Sequence, residues 1–279
     1  MIPRLTGALV RALLVIVLVA TPSMLLPGVN ADSAQIVAFV AIFAAAFTVF
    51  EYASEYPGLV EFRDAPPFNR VRFFALFITV CVLAIICRGK VEPTILTDFF
   101  TAIGALIGNS IDFPYSPVRL VVLMMPSDAA PELVESVRTA AGISYLTSLL
   151  SLAVFLLALK FNDWPTKSGS FNVWVNLPTF DPTAGGDVVE RLNRDARFNI
   201  ILGFLLPFVI PAFVKVASDV FDPVSMANPQ TMIWTMSAWA FLPASLFMRG
   251  IAMGRVASMI EEKRKQAYEK AGEDGFLLA

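Results

Sequence analysis

The sequence predicts an all-α, polytopic helical membrane protein that forms one integral membrane domain over residues 1–279, with about six transmembrane helices. Of its 279 residues, 57% are hydrophobic and only 16% are charged. Soluble domains have roughly 45–50% apolar and about 25% charged residues. The mean hydropathy is +0.69, and several apolar runs approach or exceed the roughly 20 residues that cross a hydrocarbon core of about 30 Å.

Six apolar segments are predicted to span the membrane. They cover residues 5–26, 34–50, 71–87, 140–159, 199–217 and 231–253. The first segment has two interpretations, because Val29-Asn30-Ala31 before Asp32 resembles a signal-peptidase cleavage site. Residues 1–31 are therefore either a retained anchor or a cleaved signal peptide, and the anchor is favoured because the apolar stretch extends to Leu26.

The distribution of basic residues predicts that both ends lie in the cytoplasm. In a six-span arrangement with this orientation, sixteen of the 21 Lys and Arg residues fall in cytoplasmic segments and four in outer segments. Short cytoplasmic loops carry the excess of Lys and Arg. A seventh span at 95–110 would move the five basic residues of 160–197 outside. We therefore expect a multi-pass protein of the bacterial inner membrane, with a cytoplasmic helical tail over 254–272.

The outer segment 88–139 is too apolar for a plain loop and too interrupted for one span. Its two short hydrophobic pieces are Ile95 to Gly108 and Val118 to Met125, the second bounded by Pro117 and Pro126. Pieces of this length suit helices that lie at the surface or re-enter the membrane. An interfacial or partner-facing layer is favoured over a re-entrant pair, which is typical of transporters.

Histidine is absent from the sequence, and this absence argues against several classes of cofactor site and active site. Haem ligation, most catalytic zinc sites and His-activated nucleophiles depend on imidazole. The sequence also has no phosphate-binding loop, nucleophile elbow or cluster of metal ligands. We expect no enzymatic activity, no cofactor and no metal site, and the net charge of −2 gives no reason to expect a nucleic-acid partner.

The first cytoplasmic loop is the first candidate for partner docking. It combines aromatic residues, prolines and alternating charges, with Phe62, Arg63 and Phe68 as the proposed contacts. The alternative is an interfacial loop whose aromatic and basic residues only anchor the ends of helices.

Two pairs of glycines supply further docking candidates. Gly104 and Gly108 lie in the outer segment, and Gly250 and Gly254 end the last span, each pair with the four-residue spacing that lets helices approach closely. The motif is weak because it arises often by chance. In the tail that follows, the basic run from Lys263 to Lys265 is expected to favour anionic lipids of the inner leaflet.

The fifth span carries the charges that a transport function would need. Lys215 and Asp219 are four residues apart near its outer end and are predicted to form an ion pair, while Pro207 and Pro211 predict a kink. Asp187 is expected to cap a helix that runs into this span, and to pair with Arg191 four residues later.

Two functions of different class follow from these patterns. The first is a non-enzymatic accessory or scaffold subunit that packs against other integral membrane proteins of a larger complex. The alternative is a small transporter or channel that uses the kinked fifth span with Lys215 and Asp219. The scarcity of buried charge and the 24 phenylalanines favour the scaffold.

Overall fold

A computed structural model of the protein describes residues 2–161, 164–165, 171–218 and 225–273. Over these residues the chain forms nine helices and no strand. In chain order they are α1 (Ile2–Leu25), α2 (Ala31–Ala53), α3 (Phe68–Gly89), α4 (Ile95–Ile111), α5 (Pro117–Leu123), α6 (Pro131–Phe161), α7 (Val173–Asn176), α8 (Val188–Ala217) and α9 (Pro229–Glu273).

Six of these helices are long and apolar enough to cross a membrane, namely α1, α2, α3, α6, α8 and α9. The prediction of a polytopic helical membrane protein with six spans is confirmed. The helices extend beyond the predicted apolar segments, most of all α6, which begins at Pro131, and α9, whose 45 residues give a length of about 68 Å at 1.5 Å per residue. The predicted tail is therefore a direct continuation of the last span.

The connecting segments gather at two opposite ends of the bundle. Arg4, Glu55 and Asn172 line one cavity, which brings the N-terminus together with both long loops. Gly28, Val91 and Asn228 line a cavity at the other end. We call the end that holds residues 54–67 and 171–187 the loop side, and the end that holds residues 26–30 and 90–94 the turn side.

Local sequence signals explain where several helices begin. The Asn30 side chain accepts a hydrogen bond from the Ser33 backbone N–H at 2.7 Å at the start of α2. Thr94 and Thr97 form a reciprocal capping box at the start of α4. The predicted Asp187 cap of α8 is confirmed, since its carboxylate accepts from Val189 N at 2.7 Å. These side chains satisfy backbone donors that a helix start leaves unpaired.

The short helix α4 crosses the turn-side ends of α3 and α6. A Cβ atom on Gly89, the last residue of α3, would lie 2.7 Å from Thr97, and one on Gly104 would lie 3.2 Å from Ile86. From Thr97 to Gly104, α4 advances about 10 Å, whereas its neighbours on α3 shift from Gly89 to Ile86, which is about 5 Å. The axis of α4 therefore crosses α3 at a steep angle near the turn-side end of α3.

A buried acid joins the three helices of the turn side. Asp112, directly after α4, forms ion pairs with Arg119 of α5 at 2.9 Å and with Arg138 of α6 at 2.8 Å. The Asp112 side chain is nearly inaccessible, so the two cations offset the cost of burying its charge. The turn side is therefore held by an ionic contact as well as by apolar packing.

The apolar core has two parts, one towards each end. The turn-side cluster includes Leu83 and Ile233, together with Leu18 of α1 and Leu26, which directly follows α1. The loop-side cluster contains Phe62, Phe68, Phe155, Trp164 and Leu192. It lies directly beneath the polar contacts described next.

Candidate functional site

The first loop begins with a carboxylate enclosed by backbone amides. Glu51, in the last turn of α2, is 2% exposed. Its Oε2 accepts hydrogen bonds from the backbone N–H groups of Leu59 and Val60, both at 2.9 Å, and from Gly58 at 3.1 Å. The chain after Pro57-Gly58 therefore folds back onto the end of α2, and the amides stabilise a charge that would otherwise be costly to bury.

Arg63 completes the same turn from the other direction. Its NH1 group donates to the carbonyl oxygens of Glu51 at 3.2 Å and Ser54 at 2.6 Å, and its Nε to Asp64 at 3.2 Å. A helix end leaves carbonyls without partners and carries partial negative charge, so a guanidinium there is stabilising. The Arg63 side chain is only 4% exposed, so its hydrogen bonds are made within the chain.

Asn176 links the first long loop to the second. Its carbonyl oxygen accepts from Phe62 N at 2.6 Å, and its side-chain oxygen accepts from Asp64 N at 3.1 Å. These bonds hold Phe62 in a left-handed conformation with φ of 50°, which is uncommon for a bulky residue. The Phe62 ring packs against Phe68 with a centroid distance of 4.6 Å.

Two ion pairs connect the loops to α9. Glu61 accepts two hydrogen bonds from Arg249, at 2.6 and 2.8 Å, and a third from the Thr179 hydroxyl at 2.6 Å. Asp187 pairs with Arg264 at 2.6 Å. The Arg264 guanidinium and the backbone N–H groups that Asp187 caps hold the pKa of its carboxyl below the ordinary value. Loop 54–67, residues 171–187 and α9 thus form one connected layer, the loop-side layer.

The partner of Asp187 differs from the predicted one. Arg191 turns away from Asp187 and donates to the carbonyl oxygens of Ala184 at 2.7 Å and Asp181 at 2.8 Å. The prediction of an Asp187–Arg191 pair is wrong because α9 brings Arg264 close to Asp187, a contact between residues 77 positions apart that helical spacing cannot reveal.

A cavity of about 320 Å³ opens in the loop-side layer. It is lined by Arg4, Glu55, Tyr56, Arg63, Asp64, Ala65, Phe171, Asn172, Val175 and Asn176. Five of these residues are exposed, namely Arg4, Glu55, Tyr56, Asp64 and Asn172. Arg63 and Asn176 are already committed to backbone contacts, so the cavity walls are held in place before anything binds.

The three loop residues predicted to dock a partner are interior residues. Phe62 and Phe68 are each 1% exposed and lie in the loop-side core, while Arg63 binds backbone carbonyls. The expectation that these side chains contact a partner is corrected accordingly. Glu51, Glu61 and Asn176, which organise this segment, were not predicted, and the one local signal is an acid placed shortly before Pro57-Gly58.

Three of the four glycines, Gly104, Gly108 and Gly250, are used in close contacts within the chain. A Cβ atom on Gly108 would lie 2.9 Å from the backbone oxygen of Arg138, and one on Gly250 would lie 2.6 Å from that of Ala196. Gly104 faces Thr139 and Ile143. These glycines serve contacts of α4 with α6 and of α9 with α8, which corrects their assignment to partner docking. Gly254 has ordinary clearance, with its nearest neighbour 3.9 Å away.

Lys215 lies in the last turn of α8 with an exposed side chain. Its proposed partner, Asp219, lies outside the described residues, so the predicted ion pair stays a prediction. The helix itself continues through Pro207 and Pro211. Among the described residues, no group of three or more Cys, Asp and Glu side chains is placed to hold a metal ion.

The helix α2 has a broad unpaired face. Within the described chain, α1 is the one helix against which α2 packs extensively. The opposite face of α2 exposes Phe39, Phe43, Phe47 and Phe50. Their spacing of three and four residues places them in one stripe along the helix.

These features define the chain as a multi-pass helical membrane protein with a polar layer at one end. Comparisons with protein families, curated proteins and solved structures found no match to it. Any functional conclusion therefore depends on the geometry of this chain.

Proposed function

We propose that this protein is a non-enzymatic accessory or scaffold subunit that packs against other integral membrane proteins of a larger complex in the bacterial inner membrane, with its loop side in the cytoplasm. The observation that carries the proposal is the position of α2. This helix packs against α1 alone to any large extent, and directs an aromatic stripe away from the bundle.

The stripe has the properties of a helix-packing surface. Phe39, Phe43 and Phe50 are strongly exposed, with Phe43 reaching 79%. Because lipid is as apolar as these side chains, helices associate in membranes by close packing and not by the hydrophobic effect. Rigid aromatic rings offer a large contact area at a small cost in side-chain entropy. The occupant we propose is a transmembrane helix of another subunit.

The loop-side layer supports the same role because it is continuous with α2. Glu51 and Arg63 fix the last turn of α2 to the first loop through contacts of 2.6 to 3.2 Å. A partner helix on the stripe would therefore meet an ordered polar surface, including Tyr56, where it leaves the membrane. Such preorganisation lowers the entropic cost of association.

The transporter or channel alternative has weaker support. A charge that lines a translocation path faces the interior of a bundle or a water-filled cavity. The Lys215 side chain is exposed near the end of α8, where it can extend to the membrane surface. Four of the nine described ion pairs, such as Glu61–Arg249, connect different structural elements, which is the arrangement that a scaffold needs.

Co-purification from native membranes tests the proposal. Tagged protein would be extracted in mild detergent, and co-eluting membrane proteins would be quantified by mass spectrometry. We expect the triple variant Phe39→Ala, Phe43→Ala, Phe50→Ala to lose a specific integral membrane partner while inserting normally. The matched control is Phe198→Ala, Phe204→Ala, Phe213→Ala, which removes three similarly exposed rings from α8.

The comparison of the two triples decides the role of α2. Loss of the same partner from α2 and α8 variants alike would show a general effect on packing and would contradict a docking role for α2. Retention of every partner by the α2 variant would reject the proposal.

A further inference from the structure

Arg72 carries a positive charge inside a membrane-spanning helix. It lies one turn into α3, four residues after Phe68, at the loop-side end of the bundle. Its side chain is half-buried and its Nε atom is enclosed. The guanidinium lies over the rings of Phe68 and Phe241, 4.9 and 5.7 Å from their centroids. These contacts fix its position but supply no hydrogen-bond acceptor.

The nearest acid does not neutralise Arg72. Glu61 is close enough to act on it electrostatically, but both Glu61 oxygens already accept short hydrogen bonds from Arg249 and Thr179. Within the described residues, no carboxylate lies within ion-pair distance of Arg72. Glu61 is therefore the one carboxylate among the described residues that acts on Arg72, and it is shared with Arg249, so the charge of Arg72 is not neutralised.

The hydrogen-bonding capacity of Arg72 is also largely unused. A guanidinium has several N–H donors in one plane. Among the described residues, the single acceptor is Asn69 Oδ1, 3.4 Å from NH1, which is long for a hydrogen bond. The enclosed Nε of Arg72 has no hydrogen-bond acceptor among the same described residues. A cation in a span is costly unless it is paired, so the missing acceptor should come from outside the described part of the chain.

We propose that Arg72 binds a phosphoryl group at the loop-side boundary of the membrane. Phosphate oxygens match the planar donors of a guanidinium and pair with two of them at once. The position of Arg72, one turn inside a span, is close to the depth of lipid headgroups. A phospholipid headgroup therefore suits this depth, and free phosphate from the aqueous phase is the other source of the same chemistry.

Ligand binding to the purified protein in uncharged detergent tests the site. The probes are a short-chain phosphatidylglycerol, a short-chain diacylglycerol that lacks the phosphate, and inorganic phosphate. Thermal shift gives apparent affinity, and native mass spectrometry counts bound lipid. We expect phosphatidylglycerol to bind the wild-type protein and diacylglycerol not to bind.

Substitutions at two arginines of α3 show which of them binds the phosphoryl group. Arg72→Gln should weaken phosphatidylglycerol binding roughly tenfold, the size of one charge-assisted hydrogen bond. Arg70→Gln should leave it unchanged, because Arg70 is exposed on the same turn. If Arg72→Gln does not fold, Arg72→Lys keeps the charge and removes the planar donors, and it should still weaken binding several-fold.

The outcomes separate the two sources from a failure of the site. A response to phosphatidylglycerol but not to inorganic phosphate identifies the lipid. An equal response to inorganic phosphate, lost in the Arg72 variants, identifies a phosphoryl site filled from the aqueous phase. Absence of binding by the wild-type protein, or equal binding by wild type and Arg72 variants, overturns the proposal.

Discussion

The Trp239 indole Nε1 donates a hydrogen bond to the carbonyl oxygen of Pro207 at a distance of 3.2 Å. In a regular helix that carbonyl would accept from the N–H four residues later, but this position is Pro211, which has no N–H. Trp239 of α9 therefore supplies the donor that α8 lacks. The same pairing joins two spans at a point where a proline would otherwise leave a buried acceptor without a partner.

Replacement of Trp239 by Phe should destabilise the protein by roughly 1–3 kcal/mol, because it leaves the buried Pro207 carbonyl unpaired. Thermal unfolding in detergent measures the effect. Trp234→Phe is the matched control, because Trp234 lies on the same helix and its indole makes no hydrogen bond within the described residues. Equal losses for the two variants would mean that ring packing, and not the hydrogen bond, is responsible.

The two glycines at the end of the last span should differ when each is replaced by Ala. Gly250→Ala should cost roughly 1–3 kcal/mol, since the new Cβ would lie 2.6 Å from the Ala196 carbonyl oxygen and force α8 and α9 apart. Gly254→Ala should be neutral or slightly stabilising, because its nearest neighbour is 3.9 Å away and Ala favours helix. Unfolding midpoints of both variants check this order, and similar midpoints would contradict it.

Removal of the charge of Glu51 should loosen the first loop. Glu51→Gln retains the shape but replaces an oxygen acceptor with a donor, so backbone amides of residues 58–60 lose a partner, at a cost of roughly 1–3 kcal/mol. Limited proteolysis should then cut loop 54–67 faster. Glu55→Gln, which alters an exposed acid in the same loop, should not change the rate of cleavage. Unchanged cleavage of Glu51→Gln would show that Glu51 does not hold the loop.

The Asp187–Arg264 contact should survive mild acidification. Because the pKa of Asp187 is lowered from 3.8, the contact is present above that value and is lost only as the pH falls through the lower pKa of the folded protein. Hydrogen exchange in α9 after residue 260 should therefore be protected at pH 5. Asp187→Asn keeps a capping side chain but removes the ion pair, so it should increase exchange there at pH 7 and pH 5 alike. A wild-type loss of protection between these pH values would contradict the assignment.

Reporter fusions test the orientation of the bundle. Fusions after residue 170 or 265 should report the cytoplasm, and fusions after residue 128 or 225 should report the outside, because most basic residues lie on the loop side. An external signal at 170 would contradict the proposed orientation. Agreement between the two fusions on each side serves as the internal control.

The spans could be predicted from the sequence because their signal is local. A long run of apolar residues must be buried in lipid or against other helices, whatever the rest of the sequence contains. The same holds for the start of α8, where Asp187 precedes the helix that it caps. The start of α6 was less accurate, because polar residues extend this helix back to Pro131, before the apolar run begins. The continuation of α9 beyond the last span agrees with the predicted helical tail over 254–272.

The candidate site could not be predicted in the same way because it depends on distant contacts. Phe62 lies among charged residues that suggest exposure, yet its burial depends on Asn176 and on the core beneath it. Arg63 resembles a surface charge until α2 and the loop are seen to converge on it. A pair of glycines predicts close approach of helices, but only the packed bundle shows whether the approaching helix is the chain's own.

The bonds from Glu61 to Thr179 and Arg249 also have a consequence for biogenesis. These residues belong to the first loop, the second loop and the final span, so the contact requires nearly the whole polypeptide. During synthesis, the loops leave the ribosome well before α9 and lack Arg249 until it has been inserted. A chain that is truncated or stalled before α9 cannot complete the layer, so completion of this layer distinguishes a chain that includes α9 from a chain that lacks it.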